Sequence, residues 1–219
     1  MLKIHEIRST KNMRGFTLIE MVVVLSVVAI LAAILTPTIM KNINDSKIAR
    51  ANNEVQVIAA AMASFFKDTG RWPTSNGTAG NPDYLYILHG PSTANDMNPG
   101  SYSSYWGKGS AWSNRKDLFE NHLMRNQPGI NGTPGGTVYG TTGELKWNGP
   151  YLTSLKPDPW GVLYSCNVIS LWYTGGNYKY YGVFVLSAGP DKVAQTSFAQ
   201  DYRTTTPTTG GDDIGVRIK

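Results

Sequence analysis

Three patterns of apolar and polar positions follow one another along the chain. The first is unbroken: residues 21–40 carry no charge and are mostly apolar. Wound as a helix, such a run spans about 30 Å, the thickness of a bilayer's hydrocarbon core. Pro37, near its far end, predicts a kink, with Thr36 and Thr38 placed to satisfy the backbone groups it frees. The second pattern is a stripe. Ile48, Ala51, Val55, Ile58, Met62 and Phe65 recur at helical spacing, while Lys47, Arg50, Asn52, Asn53, Glu54, Gln56 and Lys67 fall largely off that face. The helix is expected to end near Asp68-Thr69-Gly70, because Gly70 suits a left-handed C-cap and Pro73 disfavours helix at Trp72.

The third pattern is turn-rich. Residues 75–142 are dense in Gly, Asn, Ser, Thr and aromatics and read as an elaborated loop. Within it a short helix is predicted at residues 115–126, on Leu118, Phe119, His122 and Leu123. Turns at Gly149-Pro150 and Pro157-Asp158-Pro159 follow. Strands are then predicted at residues 161–167, 168–173 and 178–187, with Gly175-Gly176-Asn177 as the hairpin turn before the last. The expected architecture is α+β: one long N-terminal helix, apolar in its first half and amphipathic in its second, packed on a small antiparallel sheet.

Composition narrows this picture. Of 219 residues, 41% are hydrophobic and only 16% charged, enough for one membrane segment and one domain of ordinary size. The formal net charge is +5, but Lys3, Arg8, Lys11 and Arg14 against Glu6 place +3 of it in the first fifteen residues, leaving +2 for the rest. That remainder is too small and too dispersed to argue for nucleic acid. The basic start favours a cytoplasmic N-terminus, a preference that Lys41, Lys47 and Arg50 weaken without reversing. One cysteine, Cys166, excludes an intrachain disulfide and a cysteine-based zinc site.

A cleaved secretory signal or a plain anchor would account for the apolar run but not for Glu20 at its front. A carboxylate in hydrocarbon is costly and is tolerated only when paired. The order Arg14-Gly15-Phe16-Thr17-Leu18-Ile19-Glu20, followed by some twenty apolar residues, resembles the leader junction of type IV pilins and type II secretion pseudopilins. The resemblance implies a cleaved leader at residues 1–15, a membrane and assembly helix at 16–40, an amphipathic helix at 41–70 and a polar β-rich domain at 71–219. It implies cutting by a prepilin peptidase between Gly15 and Phe16, N-methylation of Phe16, and a role for Glu20 in assembly. The amine created at Phe16 offers Glu20 of a neighbouring copy its counter-charge, and the pairing would set axial register in a homo-oligomeric helical filament. Implied partners are membrane lipid before assembly, minor pilins or pseudopilins, and an assembly platform. The implied location is a bacterial inner membrane crossed once, with the C-terminal domain in the periplasm and the filament periplasmic or extracellular.

Further pieces sharpen the resemblance. "KDTGRWPT", "GPYL", "DPWG" and "VLSAGPD" occur in an order similar to that of the major pseudopilin of type II secretion. Residues 75–142 have no counterpart there. That family's calcium site maps by local match onto Asp191 and the Ala188 carbonyl, with Asp212 and Asp213 of "GGDDIG" for its second acid and Asp201 as a further candidate. Hard oxygen ligands from a Gly-rich loop suit calcium. Two departures matter: Pro190-Asp191-Lys192 replaces the usual Ala-Asp-Gly, and the loop between the acids is longer.

No nucleophile elbow, phosphate loop or zinc-helix motif occurs, and outside the leader only His89 and His122 are histidines. Both read as ordinary solvated residues, so no enzyme is expected. The leading expectation is a pseudopilin; the rivals are a surface pilin acting in adhesion, motility or DNA uptake, and a tip subunit. For the last, Tyr102, Tyr105, Trp106 and Trp112 offer stacking faces beside Lys108 and Arg115.

Overall fold

The computed structural model describes residues 15–80, 84–93, 95 and 115–219. The chain divides between Asp45 and Ser46 into two compact units, and one helix, α1 (Leu18–Thr69), supplies residues to both. In the first unit the apolar window of α1 is wholly exposed. The helix passes through Pro37 without interruption. Thr36 Oγ1 donates to the Ala32 carbonyl at 2.6 Å. The carbonyl that Pro37 leaves without its usual donor is that of Ala33, so the repair expected of Thr36 goes one residue astray.

The second unit is built on a five-stranded sheet of order β2-β1-β5-β6-β7. Its strands are β1 (Ile87–Gly90), β2 (Lys116–Leu118), β5 (Tyr164–Asn167), β6 (Phe184–Ser187) and β7 (Ile214–Arg217). Only the β1–β2 pair is parallel. Two short strands, β3 (Gly129–Ile130) and β4 (Thr133–Pro134), form a separate hairpin. Two short helices complete the unit, α2 (Phe119–Leu123) and α3 (Ile169–Trp172).

The sheet has two covered faces. Leu88 lies opposite Cys166, Cys166 opposite Val185 and Val185 opposite Val216. This rung packs in one cluster with Ala51, Val55, Ile58, Met62 and Phe65 of α1. One residue along, Ile87 and Leu186 turn to the other face and pack with Leu163, Ile169, Ala188 and Phe198. Strands buried on both faces read as continuous runs, without polar alternation. Each large apolar side chain so buried contributes about 1.5–3 kcal/mol. Polar ties fix the helix as well: Tyr164 Oη donates to Glu54, Arg50 Nη2 donates to the Pro157 carbonyl at 2.9 Å, and Tyr151 Oη donates to Asp68 at 3.1 Å. Cys166, on the central strand, is fully buried, and burial pushes its thiol far up.

Several expectations need correction. The stripe's first member, Ile48, is 38% exposed, and Ala61 joins the buried face instead. The helix does end at Thr69, with Gly70 at φ +68° and its N–H on the Phe66 carbonyl. The predicted hairpin around Gly175-Gly176-Asn177 does not form. Residues 168–173 carry α3, because Ile169 is needed in the second core and Trp172 Nε1 donates to the Leu85 carbonyl at 2.7 Å. Tyr178–Tyr180 makes a 3-10 turn, so strand pairing begins only at Phe184. Tertiary packing here overrides β-propensity. Residues 75–142, read as loop, supply β1, β2 and α2 to the sheet and core, while the helix predicted over residues 115–126 is only α2, preceded by β2.

Candidate functional site

In the first unit the helix start carries the chemistry. Thr17 stands before the first turn and Glu20 three residues on. The Thr17 N–H and Oγ1 donate to Glu20 Oε2 at 2.8 and 2.7 Å, and the Glu20 N–H donates to Thr17 Oγ1 at 3.3 Å. This is a capping box, which satisfies donors that a helix start otherwise leaves bare. Its signal, Thr-x-x-Glu, is legible in "TLIE", though the resemblance draws attention to the acid alone. Phe16 is 80% exposed, and Phe16, Ile19, Val23 and Val24 surround Glu20 with apolar surface. A Cβ added at Gly15 would meet nothing within 4 Å. Nothing in the folded unit therefore asks for glycine at that position.

In the second unit Asp191, Asp212 and Asp213 fall in the loop between the end of β6 and the start of β7. Ser187 pairs with Ile214, so Ala188 and Asp213 are the next residues out. The Asp191 N–H donates to Asp212 Oδ2 at 3.1 Å, which brings the two turns together. Asp213 Oδ2 accepts the Gln195 and Thr196 N–H groups and the Thr196 hydroxyl, at 2.8, 2.6 and 2.6 Å. Asp212 Oδ1 and Asp213 Oδ1 are buried without hydrogen-bond partners. Burial, reinforced by the neighbouring Asp212 charge, raises the Asp213 pKa against the opposing bonds from Thr196 and Gln195. Two orphaned buried carboxylate oxygens suit a hard cation in donor chemistry. Asp191 is already engaged by Val193 N–H at 2.8 Å and Gln195 Nε2 at 2.9 Å. Asp201 is taken up by Arg203 at 2.5 Å. Among the described residues no group of three or more His, Cys, Asp or Glu is gathered as a ready metal cage, so backbone carbonyls would have to complete any shell.

The insertion holds a polar cluster that the sequence does not announce. Asp117, Asn121 and His122 are fully buried, contrary to the solvated reading of His122. His122 Nε2 meets Asp117 Oδ2 at 3.0 Å and Nδ1 meets Tyr139 Oη at 2.7 Å. Asn121 Nδ2 and the Gly132 N–H donate to Asp117 Oδ1, and the Gly129 N–H to Oδ2, at 2.7–3.0 Å. Burial pushes the Asp117 pKa up, but the bond and charge of His122, with Leu118 N–H and Asn121, outweigh it and hold the carboxyl below its ordinary value. Arg115 stacks on Tyr84 and Tyr86, 4.5 and 4.6 Å from their centroids. Tyr102, Tyr105, Trp106, Lys108 and Trp112, the other stacking candidates, lie outside the described residues.

A capped apolar helix headed by a single acid, with a mostly antiparallel sheet in the second unit, is consistent with a pilin-like subunit, and comparisons with known proteins agree. Residues 10–36 match the prokaryotic N-terminal methylation motif. The chain is 36% identical over 67 residues to a fimbrial protein, EcpC, of Eikenella corrodens, covering 31% of this chain and 44% of that one. It is 34% identical over 65 residues to the type II secretion system core protein G of Pseudomonas aeruginosa, covering 30% and 46%. It is 39% identical over 59 residues to the type IV major pilin protein PilA of Myxococcus xanthus, covering 27% of each. The chain thus spans less than half the length of these relatives. No solved structure matches it. The motif and the relatives are those of the type IV pilin and type II secretion pseudopilin superfamily, to whose filament and secretion-system subunits this chain is similar.

Proposed function

We propose that the chain is a pseudopilin of a type II secretion system: a subunit cut after Gly15, methylated on Phe16 and assembled from the inner membrane into a helical fibre. The observation that carries this reading is the helix start. An acid heads an apolar helix whose side chains are bare of protein contacts, so lipid first and other copies afterwards must cover it. Gly15 fits the same account, since the folded unit does not require it and a peptidase acting on the junction would. The "GPYL" and "DPWG" pieces favour a pseudopilin. Asp158 of the latter accepts Trp160 and Val162 N–H at 3.0 and 2.8 Å and the Ser187 hydroxyl at 2.7 Å, tying that turn to β6. The second reading, a surface pilin, is supported by the major pilins among the relatives and by the insertion at residues 75–142. Mass spectrometry of the mature N-terminus tests the shared core: a chain beginning at methylated Phe16 is expected, and one beginning at Met1 would overturn it.

Calcium belongs to the same proposal. Asp191 and Asp212, with Asp213 and the Ala188 carbonyl, would hold the ion, which would neutralise adjoining acids and pin the C-terminal loop. A chain whose lone cysteine is buried has no disulfide to do so.

A further inference from the structure

The loop of residues 188–213, which joins β6 to β7, closes on itself through two carboxamides. Gln200 bridges to Thr208 in both directions: its Nε2 donates to the Thr208 carbonyl at 2.6 Å, and its Oε1 accepts the Thr208 N–H at 2.7 Å. Gln195 reaches further, to Asp191, Asp212 and Asp213 together. Its Nε2 donates to Asp191 Oδ2 at 2.9 Å, its Oε1 accepts the Asp212 N–H at 3.1 Å, and its own N–H donates to Asp213 Oδ2 at 2.8 Å. The backbone around it is pinned, since Ala194, Thr196 and Phe198 are buried, and Ala194 and Phe198 belong to the second core cluster. The facing chain is shaped to receive it. A Cβ at Gly211 (φ +56°) would land on the Gln195 amide oxygen, and one at Gly210 would meet the Gln195 carbonyl at 2.4 Å.

We propose that Gln195 is a positioning residue that clamps this loop shut without a metal, holding the acids together as a bound cation would. A carboxamide suits the task, because it offers a donor to a carboxylate and an acceptor to an N–H at once. Neighbouring carboxylates with no such donor between them repel. The Asp191 N–H, on Asp212 Oδ2 at 3.1 Å, belongs to the same bridge. The clamp leaves Asp212 Oδ1 and Asp213 Oδ1 without hydrogen-bond partners, so an entering cation completes a closure that already exists. That last step rests on the calcium reading; the metal-free clamp does not. What the clamp secures is the entry of β7 into the sheet, where Ile214 pairs with Ser187 one residue past Asp213.

Hydrogen exchange read by mass spectrometry, on the unassembled full-length chain in detergent micelles, tests this segment by segment. In metal-free buffer, residues 189–213 of Gln195→Ala should exchange about tenfold faster than in wild type, the order of one bond to a charged group, with β5 unchanged. Gln195→Glu keeps the shape and the acceptor but replaces the donor with a further negative charge. It should open the loop at least as far, and more at low salt than at high. Calcium should close the loop again in both variants. Equal metal-free exchange in wild type and Gln195→Ala would overturn the clamp. So would acceleration that extends through β5, which would make Gln195 a residue of the general fold. Calcium that raises the wild-type melting temperature yet leaves the Gln195→Ala loop open would overturn the shared role. Calcium without effect on either chain would end the calcium reading, while the metal-free difference would still support the clamp.

Discussion

Glu20 is satisfied twice over, at different times. Alone, its carboxylate takes both Thr17 donors; in a fibre, the amine of a neighbour's Phe16 would compete for it. Assembly is then an exchange of partners, and only the difference between them drives it. Glu20→Ala is expected to leave cleavage and membrane insertion intact while abolishing fibres, as read by the mature mass, membrane fractionation and fibre sedimentation; normal fibres would refute this role. Asp117 gives a pH test. Its folded pKa is lowered, so its stabilisation is present above the unfolded carboxylate value of about 3.9. It is lost as pH falls through the folded value. Asp117→Asn should cost about 3–5 kcal/mol at neutral pH, as removal of one partner of a buried pair does, and the gap in melting temperature from wild type should close as pH falls through the lowered folded value. Glu20 was legible because one acid interrupts an apolar context. The Asp117 network was not, since Tyr139 joins it from a loop 17 residues past His122 and no local period marks such a meeting.

At the scale of elements, α1 was readable over most of its course because apolar and amphipathic periods persist over many turns. The strands were harder. None of β1, β5, β6 and β7 exceeds four residues, and a tyrosine-rich run at residues 178–181 has strand propensity yet serves a 3-10 turn. Within the insertion, Gly77 (φ +71°) approaches the Gly135 backbone so closely that a side chain on either would collide, a requirement invisible until the two loops are seen together. The loop joining β6 to β7 carries the calcium test. Adding calcium to metal-free protein should raise the melting temperature, by the linkage that stabilises any form binding the ion. Asp191→Ala or Asp212→Ala should remove that rise; an unchanged melt for wild type would end the assignment.

For the whole molecule, the decisive quantity is where the fibre stands. Deleting the gene should abolish export of a folded substrate without removing surface filaments if the chain is a pseudopilin; surface filaments that contain the chain would instead make it a pilin. Both outcomes require that bare apolar helices find one another, a coarse demand that the sequence states openly through residues 21–40. The insertion's contribution to the core was not legible, because Asp117, His122 and Tyr139 meet there from separate stretches of chain. Cys166 gives this question a practical handle. Its thiol is sealed in the central strand and kept protonated by burial, so it stays silent toward oxidants and maleimides. Cysteine pairs introduced on the exposed side of α1, at Val57 or Phe66 for example, would therefore cross-link only with each other, and each bond formed would report one neighbour's position along the fibre without a background to subtract.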